Sequence, residues 1–195
     1  MIIIIDYGDK NTRLVAEALK KLTSNFEISD NELKILKAEK IILPGEGDAS
    51  DAVRRLHVMN LFSILRMVKK PVLGIGLGMQ LMANFSKDGN VSCLGIFPGS
   101  AEEFKEPESI LPNKQNANIS MVKPSKLLKG VGDSDKFYFK HNFYLPKNNF
   151  TTSVSSNGID FSSSMEKDNC YGVQFHPESS GEAGLKIFRN FIEIE

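Results

Sequence analysis

Three short apolar runs, each closed by a turn and followed by helical periodicity, constrain this chain more than any other feature. Ile2–Ile5 stops at Asp6-Tyr7-Gly8-Asp9, Lys40-Ile41-Ile42-Leu43 stops at Pro44-Gly45-Glu46-Gly47, and Val72–Ile75 runs into Gly76-Leu77-Gly78. A strand that is apolar at every position, rather than at alternate ones, is buried on both faces. After the first run, Leu14, Val15, Ala18, Leu19 and Leu22 recur with helical spacing, and Asn11 is placed as their N-cap. Ala49–Arg55, Leu61–Val68 and Leu77–Phe85 read as further helices, which makes Lys40–Leu43 the second strand and Val72–Ile75 the third. The fold expected is α/β, with a mostly parallel central sheet flanked by helices.

The second half changes character. Residues 105–118 are polar, hold two prolines and read as a mobile surface loop. Short β-like runs follow at Phe137–Phe139, Asn142–Leu145, Phe150–Val154 and Tyr171–Phe175, so additional antiparallel strands are expected there. A last helix, Gly184–Ile194, turns Leu185, Ile187, Phe188, Phe191 and Ile192 inward. All of this fits one domain over residues 1–195.

Charge and cysteine content narrow the function. Lys plus Arg and Asp plus Glu both number 24, so no net field draws the chain to nucleic acid or to an anionic membrane. The apolar start is too short for a signal-peptide core, no run is long enough to span a bilayer, and a cytoplasmic location is expected. Cys93 and Cys170 make no disulfide framework, and metal-ligand spacing is lacking. No metal and no cofactor are expected.

Two segments carry chemistry. Gly74-Ile75-Gly76-Leu77-Gly78 takes a buried strand into a helix through alternate glycines. Such a junction permits positive φ and close helix–sheet approach, the geometry of a nucleophile elbow. A dinucleotide loop needs G-x-G-x-x-G, and Met79 breaks that pattern. Tight packing alone remains the plain alternative. Further on, His176-Pro177-Glu178 ends a strand with an imidazole and a carboxylate two residues apart, on one side of extended backbone. A carboxylate so placed orients an imidazole and stabilises its cation, although an isolated His-x-Glu is more often incidental. His57 reads as a surface residue, whereas His141, between Phe139 and Phe143, is a stronger candidate.

Taken in order, Ile4–Gly8 with Asn11, Ile42–Gly47, Gly74–Gln80, Leu94–Gly99, Phe137–His141 and Gly172–Glu178 resemble the class I glutamine amidotransferase family. Within it they resemble most the glutaminase of the imidazole glycerol phosphate synthase branch. The resemblance covers nearly the whole chain. It implies a Cys–His–Glu triad that releases ammonia from glutamine for a synthase partner, a cyclase-type (βα)8-barrel in histidine biosynthesis or another ammonia acceptor. It maps His176 to the acid/base and Glu178 to its orienter. Gly45, Glu46 and Leu77 map to the oxyanion hole, and Gln80, His141, Asn142 and Phe143 to the glutamine pocket.

The nucleophile maps to Gly76, which has no side chain. Loss of the nucleophile from a serine triad costs on the order of a million-fold in turnover. Cys170 lies six residues before His176, roughly 20 Å away at strand rise, and Cys93 belongs to another segment, so neither substitutes. Gly76 is read either as an inactivating substitution or as natural decay that relieves strain at the bend. The retained His176 and Glu178 weigh toward a recent or engineered loss. Other departures concern the partner. Ser179 stands where the branch has Lys, Glu46 replaces a small apolar residue, and about Lys114–Asn118 replaces a Trp-bearing docking segment in a chain with no Trp. These leave open an ammonia supplier for a sugar amidotransferase in surface-polysaccharide synthesis, and a non-catalytic docking or regulatory subunit.

Overall fold

The first strand shows why the apolar runs are unbroken. In β1 (Ile2–Ile5), Ile3 and Ile5 enter one hydrophobic core while Ile2 and Ile4 enter another on the opposite face. The computed structural model describes residues 1–105 and 113–195. The sheet continues with the edge strand β2 (Phe26–Ser29) and the interior strands β3 (Lys40–Leu43) and β4 (Val72–Ile75), all parallel to their neighbours. Three small strands follow, β5 (Phe85–Ser86), β6 (Val91–Ser92) and β7 (Ser100–Glu103). Then come β8 (Asn113–Ala117), β9 (Ser120–Met121), β10 (Phe137–His141) and β11 (Phe143–Tyr144). The last three are β12 (Thr151–Asn157), β13 (Ile159–Lys167) and β14 (Cys170–Val173). The main sheet has the order β2-β1-β3-β4-β14-β13-β12-β9, parallel up to β14 and antiparallel beyond it. This is the mixed α/β sheet expected from the sequence.

Helices cover both faces. Helix α1 (Thr12–Lys20) packs Val15, Ala18 and Leu19 into the core that holds Ile2 and Ile4. On the other face lie α2 (Glu32–Lys37), α3 (Ala49–Val58), α4 (Leu61–Met67) and α5 (Leu77–Leu81). The last helix, α6 (Gly181–Glu193), returns to the α1 side, where Ile187, Phe188 and Phe191 are buried; Leu185 and Ile192 are only half-buried.

Several expectations need correction. Phe26–Ser29 is an edge strand, so Lys40–Leu43 is the third strand rather than the second. The helix expected to reach Phe85 stops at Leu81, because segment 94–97 takes over its carbonyls. Leu94 N–H donates to Leu81 O, Ile96 and Phe97 to Met82 O, and Gly95 to Ala83 O. The supposed loop 105–118 contains a strand: β8 pairs along β10 from Asn113–His141 to Ala117–Phe137. Backbone ladder bonds and the buried Asn113 amide hold it despite its polar sequence. Residues 106–112 of that stretch lie outside the described residues.

Close approach of α5 to the sheet rests on Gly78. A Cβ there would stand 2.0 Å from the Leu43 carbonyl oxygen, an overlap that only a shift of the helix or of β3 relieves. Gly78→Ala is therefore expected to destabilise the chain by at least the ~1–3 kcal/mol typical of overpacking. Urea unfolding monitored by circular dichroism measures this, and an unchanged midpoint would show that α5 has room to move.

Candidate active site

The site forms where two parallel neighbours end together. Strand β14 pairs with β4 from Cys170–Val72 to Val173–Ile75, so residues 76 and 176 leave adjacent strand ends. Gly76 has φ 58° and ψ −118°, a conformation that an L side chain adopts only under strain. Its N–H donates to Val173 O at 2.8 Å, which ties the bend to β14. A Cβ built on Gly76 would lie 3.1 Å from His176 Nε2 and 2.8 Å from its Cε1. The junction thus has elbow geometry, aimed at the imidazole, with no side chain to present.

His176 is clamped by its own backbone. Its N–H donates to Tyr138 O at 2.8 Å, and its carbonyl accepts from Ser180 Oγ at 2.7 Å. Pro177–Ser179 then form a single 3-10 turn that folds Glu178 back under the ring. His176 Nδ1 lies 2.8 Å from Glu178 Oε1, and both side chains are almost fully buried. A carboxylate at that distance assigns the proton to Nδ1, leaving the Nε2 lone pair toward Gly76. Asn11 completes the cluster. Its Nδ2 donates to Glu178 Oε1 at 3.3 Å and lies 3.2 Å from His176 Nδ1. The expectation that Asn11 caps α1 therefore fails at the side chain, which makes no capping bond and is spent on the His–Glu pair.

Electrostatics separate the two buried histidines. Burial alone pushes the His176 imidazole down, but the hydrogen bond and charge of Glu178, with a contribution from Glu46, outweigh it and raise the pKa. For His141, burial dominates and pushes it down to about 3. Its ring is held as a neutral tautomer, with Nδ1 2.8 Å from Phe143 O and Nε2 2.9 Å from Asn113 Nδ2. His141 thus braces β10 against β8 and β11.

Of the three amides expected to form an oxyanion hole, at Gly45, Glu46 and Leu77, the last two are occupied. Leu77 N–H donates to Gly45 O at 2.9 Å, and Glu46 N–H donates to Asp9 Oδ2 at 2.8 Å. Tyr7 Oη donates to Pro44 O at 2.8 Å and fixes the same turn from behind. The Glu46 side chain pairs with Lys140 of β10. A cavity of about 350 Å³ opens beside this turn and brings together Gly45, Glu46, Leu77, Gln80 and His141–Phe143. Gln80 Nε2 reaches Phe143 O at 2.8 Å and Gln174 Oε1 at 3.0 Å, which joins α5 to the far wall. Asp48, Asp88 and Lys140 also line it, and the sequence reading missed them because no spacing rule links three such distant segments.

Both thiols are free and pushed up to about 11, chiefly by burial. Among the described residues, no group of three or more His, Cys, Asp or Glu side chains is arranged to hold a metal ion, and no helix is long and apolar enough to cross a membrane. His57 is exposed and stacks on Phe62.

The class-I glutamine amidotransferase family model matches residues 3–194. The imidazole glycerol phosphate synthase subunit HisH of Bacteroides fragilis is 39% identical over 193 residues, covering 98% of each chain. The subunit of the same name from Haemophilus influenzae is 38% identical, covering 98% of this chain and 96% of its own. Among solved structures, PurLQS from Thermotoga maritima superposes with a TM-score of 0.70 at 21% identity, covering 98% of this chain and 97% of that one. A glutamine amidotransferase structure superposes with 0.74 at 14% identity, covering 99% and 98%. At such identities the structural likeness establishes the fold alone.

The two histidines should titrate apart. His176 is expected to titrate above the ordinary 6.5, and His141 to stay uncharged until about pH 3. Between 6.5 and 3 the unfolded chain binds a proton at residue 141 that the folded chain refuses, so this group lowers stability as pH falls through that window. His176 acts in the opposite sense: its contribution is complete below about 6.5 and is lost as pH rises through its raised folded value. Imidazole resonances followed by NMR test both, and a His141 signal titrating near 6.5 would show a solvated ring.

Proposed function

Because this chain belongs to the class I glutamine amidotransferase family, we propose that it is the glutaminase-type subunit of an imidazole glycerol phosphate synthase-like complex, silenced at its hydrolytic step by Gly76. The observation that carries this reading is the Gly76 bend, whose missing Cβ would stand 3.1 Å from His176 Nε2. Glutamine occupies the cavity beside Gln80 and His141–Phe143. The partner is a cyclase-type (βα)8-barrel that consumes ammonia in histidine biosynthesis.

With a thiol at position 76, the remaining groups have defined tasks. His176 Nε2 takes the Sγ proton while Glu178 steadies the imidazolium through Nδ1–H. The thiolate attacks the side-chain amide carbon, the C–N bond breaks, and the proton held by His176 goes to the departing ammonia. Water then attacks the thioester with His176 as base and frees glutamate. Throughout, the Leu77 amide must exchange Gly45 O for the developing oxyanion. In the chain as it stands, the first of these steps has no nucleophile.

A second reading is favoured by the occupied Leu77 and Glu46 amides: a docking or regulatory subunit that binds without hydrolysing. The polar β8 strand, in place of a Trp-bearing docking segment, favours a variant of the first reading in which the ammonia acceptor is a sugar amidotransferase. Identification of the co-purifying partner separates these readings.

Ammonia release from glutamine should be undetectable for the chain itself, with or without a cyclase. Gly76→Cys should restore release, by up to the ~10⁶-fold over the chain itself that a triad nucleophile is associated with, and more strongly with the partner present. The positive φ of Gly76 predicts that this variant loses roughly 1–3 kcal/mol of stability. Silence of Gly76→Cys with a confirmed partner would show that Gly76 is not the sole lesion.

A further inference from the structure

Two cavities meet at the site, and a single ion pair forms the wall between them. The larger, of about 350 Å³, reaches Gln80 and His141–Phe143 but not His176. The smaller, of about 210 Å³, holds His176 with Asn11, Tyr138 and Ser179. Glu46 and Lys140 line both, and they are paired with each other.

We propose that the Glu46–Lys140 pair is a ligand-operated gate, in which Lys140 receives the α-carboxylate of the bound amino acid and thereby releases Glu46. The inference rests on the reading of the larger cavity as a glutamine site. Three observations carry it further. Among the described residues, Lys140 is the one cationic side chain lining that cavity, whose other charged groups are Glu46, Asp48 and Asp88. A zwitterionic ligand therefore has one place for its carboxylate, and that place is already occupied by Glu46. The pair is also exchangeable. Its side chains are 29% and 45% exposed, and ion pairs at such exposure contribute little, so an incoming carboxylate replaces Glu46 without large cost.

The third observation concerns what Glu46 is attached to. Its backbone N–H is held by Asp9, and the preceding carbonyl, Gly45 O, covers the Leu77 amide. The Lys140 bond is thus one of the tethers on the turn that keeps the two cavities apart and Leu77 occupied. Its exchange for a ligand carboxylate frees the Glu46 side chain and opens a route from the larger cavity to His176. Lys140 thereby selects for ligands with a free α-carboxylate, and Glu46 is its internal competitor.

The test is calorimetric titration of the full chain with L-glutamine and with 4-aminobutanamide, which is glutamine without its carboxylate. Glu46→Gln keeps the size of the side chain and removes the competing charge; Lys140→Met keeps the length and removes the receptor. Glu46→Gln is expected to bind L-glutamine about 3- to 10-fold more tightly, and Lys140→Met at least about 10-fold more weakly. 4-Aminobutanamide is a cation, so Lys140→Met should not weaken its binding and Glu46→Gln should not tighten it. Glutamine binding that is the same in all three proteins overturns the gate and leaves the glutamine site standing. An equal loss of both ligands in Lys140→Met also overturns it, as general damage to the pocket. Absence of glutamine binding in every protein, Glu46→Gln included, overturns the glutamine reading and the gate with it.

Discussion

Pairing between β4 and β14 is the constraint on which the rest depends. Nearly a hundred residues separate these strands in sequence, yet they run parallel in register at the centre of the sheet. Their ends deliver an elbow and an imidazole to the same point, as open α/β sheets deliver ligand-binding groups beyond their carboxyl ends. The pairing is stable because both faces of the sheet are covered, α5 lying on one side and α6 on the other. An apolar layer on each side thus fixes the position of a polar cluster to within a hydrogen bond.

That layering also explains which parts of the fold were legible in sequence. Ile2–Ile5, Ile41–Leu43 and Val72–Ile75 announce strands because both faces need apolar side chains. In the hairpin of β12 and β13 the signal is partial: Phe150–Val154 reads as β-like, whereas β13 does not. Much of its buried interior is serine and threonine, satisfied across the strands by Thr151–Ser162, Thr152–Ser164 and Ser153–Ser163 hydroxyl pairs at 2.6–2.7 Å. Hydropathy is blind to hydroxyls that satisfy one another. Strand β8 is hidden for a related reason, since its ladder to β10 is a backbone interaction that a polar sequence supports equally well.

The site divides along the same line. That Gly76, His176 and Glu178 come together was legible only with the family resemblance, because a glycine bend and an isolated His-x-Glu each have a plainer reading. The contributions of Asn11, Asp9 and Lys140 to the site were not legible, because they depend on contacts across 167, 37 and 94 residues. The state of the amides lay further out of reach. Whether Leu77 N–H faces a ligand or Gly45 O is set by the rotation of one peptide, and glycine at 45 accepts either.

Retention of His176 and Glu178 beside an absent nucleophile admits a purely physical explanation. Glu178 has no solvent-exposed side-chain area, and its Oε2 has no hydrogen-bond partner among the described residues. Its other oxygen is held by His176 and Asn11. Removing one member of a buried pair leaves an uncompensated charge and costs on the order of 3–5 kcal/mol, a large share of the 5–15 kcal/mol that stabilises a domain. The same turn anchors α6, with Ser180 bridging His176 O and Tyr138 N–H. On the proposed reading, selection for a folded chain therefore suffices to keep the His176–Glu178 pair without catalysis, so its presence does not date a change at Gly76. The thiol position carries no such burden, because a glycine there relieves backbone strain and a side chain would crowd Gly45 O at 2.7 Å. On the triad reading proposed above, position 76 is the one of the three that the fold leaves free to be glycine.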